Sequence, residues 1–275
     1  MRLLSIGNSF SEDAAYYLSQ VAAAGNKSLT HVNLIIGGCT LEHHIDAFNN
    51  GELYIREENG IFTDRRVSLK ETLEENDWDV ITVQQSSGLS GIAASYEPWG
   101  SKLIDIIRRI CPNSKIFFHK TWAYSSSEPW VYEMDWMNAQ QTPYLDTVDW
   151  PSDNVYFHSQ MYMFGAISGA VMSFCGKHRL PVIPSGDVIQ YLRSGTEFDD
   201  SVCDLTRDNF HMDIIYGRYA LAMTWYKTLF GGPLPAWSVK PEDITGEYSV
   251  PVFEFDEAKA AEIRAAVDTV VNRGL

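Results

Sequence analysis

Short apolar runs alternate along this chain with longer stretches whose apolar residues fall at helical spacing. That alternation constrains the fold more than any other feature. Leu3–Gly7 is a compact apolar run closed by glycine, the pattern of a buried strand. Ser11–Gly25 follows with Ala, Leu and Tyr at helical spacing and Gly25 as its stop. His31–Ile36 reads as a second strand, closed by Gly37 and Gly38, and Thr40–Asn50 as a short helix. Glu52–Val67 carries Asn59-Gly60 at its middle, a hairpin turn signal. Ser68 then opens a helix with Glu71 three residues on, a capping box.

The alternation continues. Asp79–Val83 is a third strand, Tyr96–Cys111 an amphipathic helix ended by Pro112, and Lys115–His119 a fourth strand. Trp122–Asp153 is rich in Trp, Tyr, Pro and Asp without a clear period; a loop of that length in a compact domain is usually functional or a lid. Asn154–His178 reads as a long helix, Pro181–Pro184 as a short fifth strand, and Val188–Ser194, Met212–Phe230 and Glu257–Asn272 as helices, with an apolar run at Tyr248–Phe255. Strands alternating with helices imply an α/β fold: a three-layer α/β/α sandwich around a five-stranded parallel sheet. No repeat or linker interrupts the chain, so residues 1–275 read as one domain, with 122–153 as an aromatic loop or lid and 239–275 as a C-terminal extension.

Composition excludes several classes of partner. The net charge is −15, and a surface that negative repels phosphate backbones and anionic membrane surfaces, so neither nucleic acid nor a membrane is expected. No apolar stretch is long enough to span a bilayer; Tyr162–Phe174 reads as a buried core helix. The apolar run after Arg2 is too short for a signal peptide, so a cytoplasmic location is expected. Cys39, Cys111, Cys175 and Cys203 are scattered without a CxxC pair, the pattern of reduced thiols. Oligomeric state is not legible.

In sheets of this kind, sites form outside the carboxyl ends of the strands. The residues to weigh are therefore Asn8-Ser9, Gly37-Gly38-Cys39, Gln84-Gln85, His119–Trp122 and Ser185–Asp187. Ser9, at the turn into a helix, is by itself most simply a helix cap. At the far end of the chain Asp208-Asn209-Phe210-His211 precedes a core helix. An Asp and a His three apart can share a cleft, the carboxylate fixing the imidazole tautomer while the ring takes a proton from Ser9. Acyl transfer also needs donors for a developing oxyanion. The Ser9 and Gly38 backbone N–H groups and a Gln84 or Gln85 side-chain amide could supply them.

These blocks together resemble the SGNH, or GDSL-type, hydrolase superfamily. The first block corresponds to Gly7-Asn8-Ser9-Phe10-Ser11, the second glycine to Gly38 in Gly37-Gly38-Cys39-Thr40-Leu41, and the last block to Asp208 and His211, in family order over nearly the whole chain. The likeness extends to an uncharacterised bacterial group sharing GNSFS and a Trp-Ala-Tyr segment, here Trp122-Ala123-Tyr124. One block departs: the usual Asn of a G-x-N-D pattern is replaced by Val83-Gln84-Gln85-Ser86-Ser87. The resemblance implies that Gln84 first, or Gln85 second, takes the Asn's oxyanion role. It implies a flavodoxin-like fold and a serine esterase acting on a small acyl ester, often O-acetyl on a carbohydrate, without a cofactor. Ser9 would be the nucleophile, His211 the base and Asp208 its orienting partner. Asn8, His44, Trp122 and Tyr124 would bind substrate.

Other readings carry less. Cys39 with His43 and His44 does not complete a zinc set, so no metal is expected. A phosphate- or nucleotide-binding α/β protein would need a glycine-rich phosphate loop after a strand, and none is present. A catalytically silent glycan-binding domain on the same fold is the remaining alternative.

Overall fold

The computed structural model describes residues 1–126, 131–133, 154–156, 160–245 and 253–273. At its centre lies β1 (Arg2–Gly7), buried from Leu3 onward. It pairs in parallel with β2 (Thr30–Ile35) on one side and β5 (Val80–Val83) on the other. Beyond β5 come β6 (Lys115–His119) and β9 (Val182–Ile183), also parallel. These are the five parallel strands expected from the sequence. Continuous apolar runs mark them because both faces are covered. Among the described residues the sheet nonetheless has seven strands, running from β9 at one edge through β6, β5, β1 and β2 to a hairpin at the other. The additional two are the hairpin β3 (Leu53–Glu58) and β4 (Ile61–Ser68), whose β3 pairs antiparallel with β2. Asn59 and Gly60 both take positive φ at the hairpin turn (53° and 83°), as a right-twisted two-residue turn requires.

Helices cover the sheet in two groups. In one, α3 (Leu41–Asn50), α4 (Leu69–Glu75) and α5 (Trp99–Ile110) pack together. The long α6 (Gln160–His178) joins them through Phe174, which packs on Tyr96 and Phe118. In the other, α1 (Ser9–Ala15), α2 (Leu18–Ala24), α7 (Ser185–Arg193) and α9 (Glu257–Arg273) pack around α8 (Tyr216–Phe230). The capping box at α4 is present: the Ser68 hydroxyl accepts from Glu71 N and the Glu71 carboxylate accepts from Ser68 N. The C-terminal helix is part of the main core, burying Ala260, Ile263, Ala266, Val267 and Val270.

Several boundaries differ from the sequence reading. The Ser11–Gly25 stretch is two helices, starting at Ser9 and broken at Tyr16–Tyr17, whose hydroxyls reach Thr245 and Ile214. Asn154–Tyr156 is a strand, β8, paired antiparallel with β7 (Val131–Glu133), so the long helix begins only at Gln160. That helix is not buried all round, since Met161, Tyr162 and Met172 are exposed. Helix α8 starts at Tyr216, not Met212. The Asp213 carboxylate accepts from Ile215 N, Tyr216 N and Gly217 N and so fixes that start. Most of the 122–153 segment and of the Tyr248–Phe255 run lies outside the described residues. All four cysteines are free thiols. No described helix is long and apolar enough to cross a membrane.

One buried polar ladder links the hairpin to the first helix. The Ser11 hydroxyl lies 2.8 Å from both Asn8 O and Asn33 Oδ1, and Asn33 Nδ2 donates to Glu57 Oε2 at 2.8 Å. Burial pushes the Glu57 carboxyl up to about 8, against the bond from Asn33. The sign follows from linkage. Above the ordinary carboxylate value the unfolded chain loses this proton while the folded chain keeps it, so Glu57 lowers stability progressively from about pH 4.5 to 8. Glu57→Gln, which does not titrate, should therefore gain stability relative to the parent as pH rises from 5 to 8.5. Urea unfolding at both pH values measures this, and an unchanged difference would contradict the assignment.

Candidate active site

The chain leaves β1 at Gly7 and enters α1 through Asn8, not Ser9. Asn8 is the N-cap: its Oδ1 accepts from Phe10 N at 2.9 Å. Ser9 is thereby freed from the cap role and takes the first position of the helix, half-buried. Its Oγ lies 2.9 Å from His211 Nε2, and His211 Nδ1 lies 2.7 Å from Asp208 Oδ2. Residues 202 positions apart are thus in hydrogen-bond contact.

The His211 turn is locally determined. Asp208 Oδ1 accepts from His211 N at 2.7 Å, closing a turn in which Asn209 takes a φ of 72°. Antiparallel pairing of Thr206 with Met212 closes the base of the loop. Burial alone would raise the Asp208 carboxyl, but bonds from the His211 ring and from backbone N–H groups hold it below the ordinary carboxylate value. An ionised Asp208 only accepts, so Nδ1 of His211 carries the proton and Nε2 is the acceptor facing Ser9. Aromatic rings hold the imidazole from the sides, with Phe210 at 4.1 Å and Phe10 at 5.8 Å between centroids. The side chains of His211 and Asp208 are 19% and 43% exposed, so the pair is open to small molecules.

Asn8 also ties three strand ends together. Its Nδ2 donates to Cys39 O at 3.1 Å, holding the turn after β2, and its Oδ1 accepts from Gln84 Nε2 at 2.8 Å after β5. Because Phe10 N–H already fixes Asn8 Oδ1 as an acceptor, Gln84 must present its NH2 group, and its Oε1 must face His119 Nδ1 at 2.9 Å. His119 is fully buried, and burial pushes its ring down to about 3, so it is neutral with the proton on Nδ1. Nε2 then accepts from Ser185 Oγ at 3.0 Å, and that hydroxyl accepts from Trp225 Nε1 at 3.2 Å. A single backbone N–H thus sets the polarity of a five-residue buried chain. One of the two Gln84 N–H groups is thereby committed to Asn8.

The structure brings Ser9, Asn8, Gln84, Asp208 and His211 together. Gly38 stands on the turn held by Asn8, exposed and with a φ of 64° that favours glycine; a Cβ there would meet nothing within 4 Å, so conformation is what requires it. Gln85 is placed otherwise than expected. Its Nε2 donates to Ser95 O and Oγ, and its Oε1 accepts from Leu41 N and Ser86 N, so it braces the loop and has no donor left for an oxyanion. His44 does not face the cleft. It is fully buried against Cys39 Sγ (3.3 Å) and Tyr54 OH (2.8 Å). Trp122 offers no open ring for a sugar. It is fully buried, stacked on Phe10 at 4.3 Å, and donates to Phe210 O. Tyr124 is largely buried, with its hydroxyl 2.9 Å from Ser87 Oγ. The remaining tryptophans of that segment lie outside the described residues. Among the described residues no group of three or more His, Cys, Asp or Glu is arranged to hold a metal ion.

The sequence reading passed over Asp13 and Arg207, and weighed His119 only as a residue at a strand end. The signal was an acidic residue, Asp13, one turn after Ser9 and directly before the apolar run Ala14–Leu18.

The sequence profile of a domain of unknown function, DUF4886, matches residues 2–156 and 154–252. The chain belongs to that family. A DUF4886 protein from Bacteroides uniformis ATCC 8492 is 27% identical with a TM-score of 0.75, covering 98% of this chain and 94% of that one. Two more distant structures share the fold. A proposed SGNH hydrolase from Slackia heliotrinireducens is 15% identical (TM-score 0.52, covering 83% of this chain and 98% of that one). The acetyl xylan esterase AlAXEase is 10% identical (TM-score 0.53, covering 84% and 100%). The fold is therefore that of the SGNH hydrolases. A search of curated protein sequences found no match.

The approach of Gly7 to its neighbours gives a test of the site's packing. A Cβ on Gly7 would sit 2.5 Å from Ser11 Oγ and 3.2 Å from Gln84 Cδ. Gly7→Ala should destabilise the fold by about 1–3 kcal/mol through overpacking. Chemical denaturation checks it, and a neutral result would mean that Ser11 and Gln84 are not held where described.

Proposed function

We propose that this protein is a serine ester hydrolase that acts through an acyl-enzyme. One observation carries the reading: Ser9 Oγ, His211 Nε2 and Asp208 Oδ2 form a continuous hydrogen-bonded series at the carboxyl end of the central strand. In this mechanism Ser9 Oγ attacks the ester carbonyl while its proton passes to His211 Nε2. The resulting imidazolium is stabilised by Asp208. Collapse of the tetrahedral intermediate breaks the bond to the alcohol, which leaves with the proton from His211. Water then attacks the acyl-Ser9 ester, again giving a proton to His211, and Ser9 recovers its proton as the acid is released.

In the same proposal the Ser9 and Gly38 backbone N–H groups receive the oxyanion, with the second Gln84 N–H as a third donor. Asn8 holds all three elements in place, which moves its role from binding substrate to positioning. The substrate is a small acyl ester, with O-acetyl groups on a carbohydrate favoured. Support for the acyl type comes from the shared fold of the acetyl xylan esterase.

Ser9→Ala should abolish release of p-nitrophenol from p-nitrophenyl acetate, His211→Ala should reduce it to a small residual rate, and Asp208→Asn should fold normally and turn over far more slowly, because the wrong tautomer is favoured. Full activity in Ser9→Ala would end the proposal. Gln84→Ala should lower kcat by about 10²–10³ with little change in KM, the signature of a donor used mainly in the transition state; a change confined to KM would remove Gln84 from the oxyanion site. Acetate release from a panel of acetylated sugars distinguishes the enzyme from a glycan-binding domain, which would bind them and release none.

A further inference from the structure

We propose that Asp13 is the positioning residue that sets the separation of Ser9 from His211; the proposal rests on the Ser–His–Asp reading above. Asp13 lies four residues after Ser9 on α1, one helical turn along the same face, and is fully buried. Its Oδ1 accepts from Arg207 Nη1 at 2.9 Å and from Arg218 Nε at 2.8 Å, with Arg218 Nη2 at 2.7 Å. Its Oδ2 accepts from Met212 N at 2.8 Å. Arg207 immediately precedes Asp208, and Met212 immediately follows His211. Both ends of the turn that carries the acid–base pair therefore close on one carboxylate.

That turn behaves as a unit. Arg207 N donates to His211 O at 2.9 Å, and the Arg207 guanidinium also reaches Met212 O. The unit meets the nucleophile helix through a residue one turn from Ser9. A carboxylate suits this place for a chemical reason. Its two oxygens accept along several directions at once, so a guanidinium from one end of the turn and a backbone N–H from the other can share it. The burial cost is met by two arginines, one of which, Arg218, is itself fully buried with its guanidinium 4.0 Å over the Tyr16 ring. Buried ion sets of this kind add little net stability over an apolar replacement; what they fix is geometry. An apolar side chain at position 13 would fill the space and remove the one acceptor that Met212 N–H and the two arginines share.

The test is hydrolysis of p-nitrophenyl acetate by Asp13→Asn. The amide keeps one acceptor oxygen for the arginines but turns an NH2 group towards Met212 N–H or towards a guanidinium, so the loop loses one tether. Expected is a fall in kcat of about 10²-fold with KM nearly unchanged, the consequence of misplacing a catalytic group by about 1 Å. The same change made in His211→Ala should alter the residual rate by less than about twofold, because the position of an absent base no longer matters. An unchanged kcat in the single variant, or an equal loss in both backgrounds, would overturn the proposal. Circular dichroism establishes whether Asp13→Asn folds. If it does not, Arg207→Met removes one arm and keeps the Arg218 and Met212 bonds. A smaller fall in kcat seen only when His211 is present supports the proposal, and no fall, or an equal one in both backgrounds, refutes it. Undiminished turnover in His211→Ala alone would instead remove the catalytic reading itself.

Discussion

The hydrogen bond from Phe10 N to Asn8 Oδ1 is the interaction on which the site depends. It ends the first strand and starts the first helix. It also decides which way every amide and imidazole behind it must face. With Oδ1 fixed as an acceptor, the Asn8 NH2 group holds the turn after β2, the Gln84 NH2 group turns inward, and His119 is locked as one tautomer between Gln84 and Ser185. Networks of this kind are costly if half satisfied and specifying if complete. Here the chain runs in one donor direction from Trp225 to Asn8. Three loops that come from distant parts of the sequence are thereby brought to one turn.

Much of the frame was legible because the frame is local. A strand buried on both faces shows as an apolar run, and β1, β2, β5 and β6 all do so. The turn at Asn59-Gly60 and the cap at Ser68 are short-range chemistry that a sequence displays directly. The docking of the hairpin onto β2 was not legible, because strand pairing is decided by partners far away in the chain. The break at Tyr16–Tyr17 was hidden for a similar reason. Apolar spacing runs through it unchanged, and what holds it open is a pair of hydroxyl bonds to Thr245 and Ile214.

The site divided in the same way. Ser9 and Gly38 were legible as residue types after strand ends, and Asp208 and His211 as an acid and a histidine three apart before a core helix. Their neighbours were misjudged wherever the side chain can serve two roles. Trp122 and Tyr124 are amphipathic rings equally able to stack on a ligand or to pack, and in the structure they pack. His44 and Gln85 sit beside residues of the cleft in sequence yet point their polar atoms into the scaffold. Asn8 and Ser9 exchanged roles, since either can cap a helix and only the backbone geometry distinguishes them. The Asp13 carboxylate was invisible because its partners lie about two hundred residues away, and nothing local explains a charge on that face.

The spacing between Ser9 and His211 has a consequence for synthesis. The serine is synthesised before the histidine, which follows 202 positions later. At about 5–20 residues per second that interval is roughly 10–40 s. Throughout it Ser9 is an ordinary alcohol, with no base beside it. The loop bearing His211 rests on the first helix through Asp13 and on Trp122, which is itself stacked on Phe10. The bond between Ser9 and His211 therefore cannot form until a segment 202 positions downstream has been made and has folded onto the first helix.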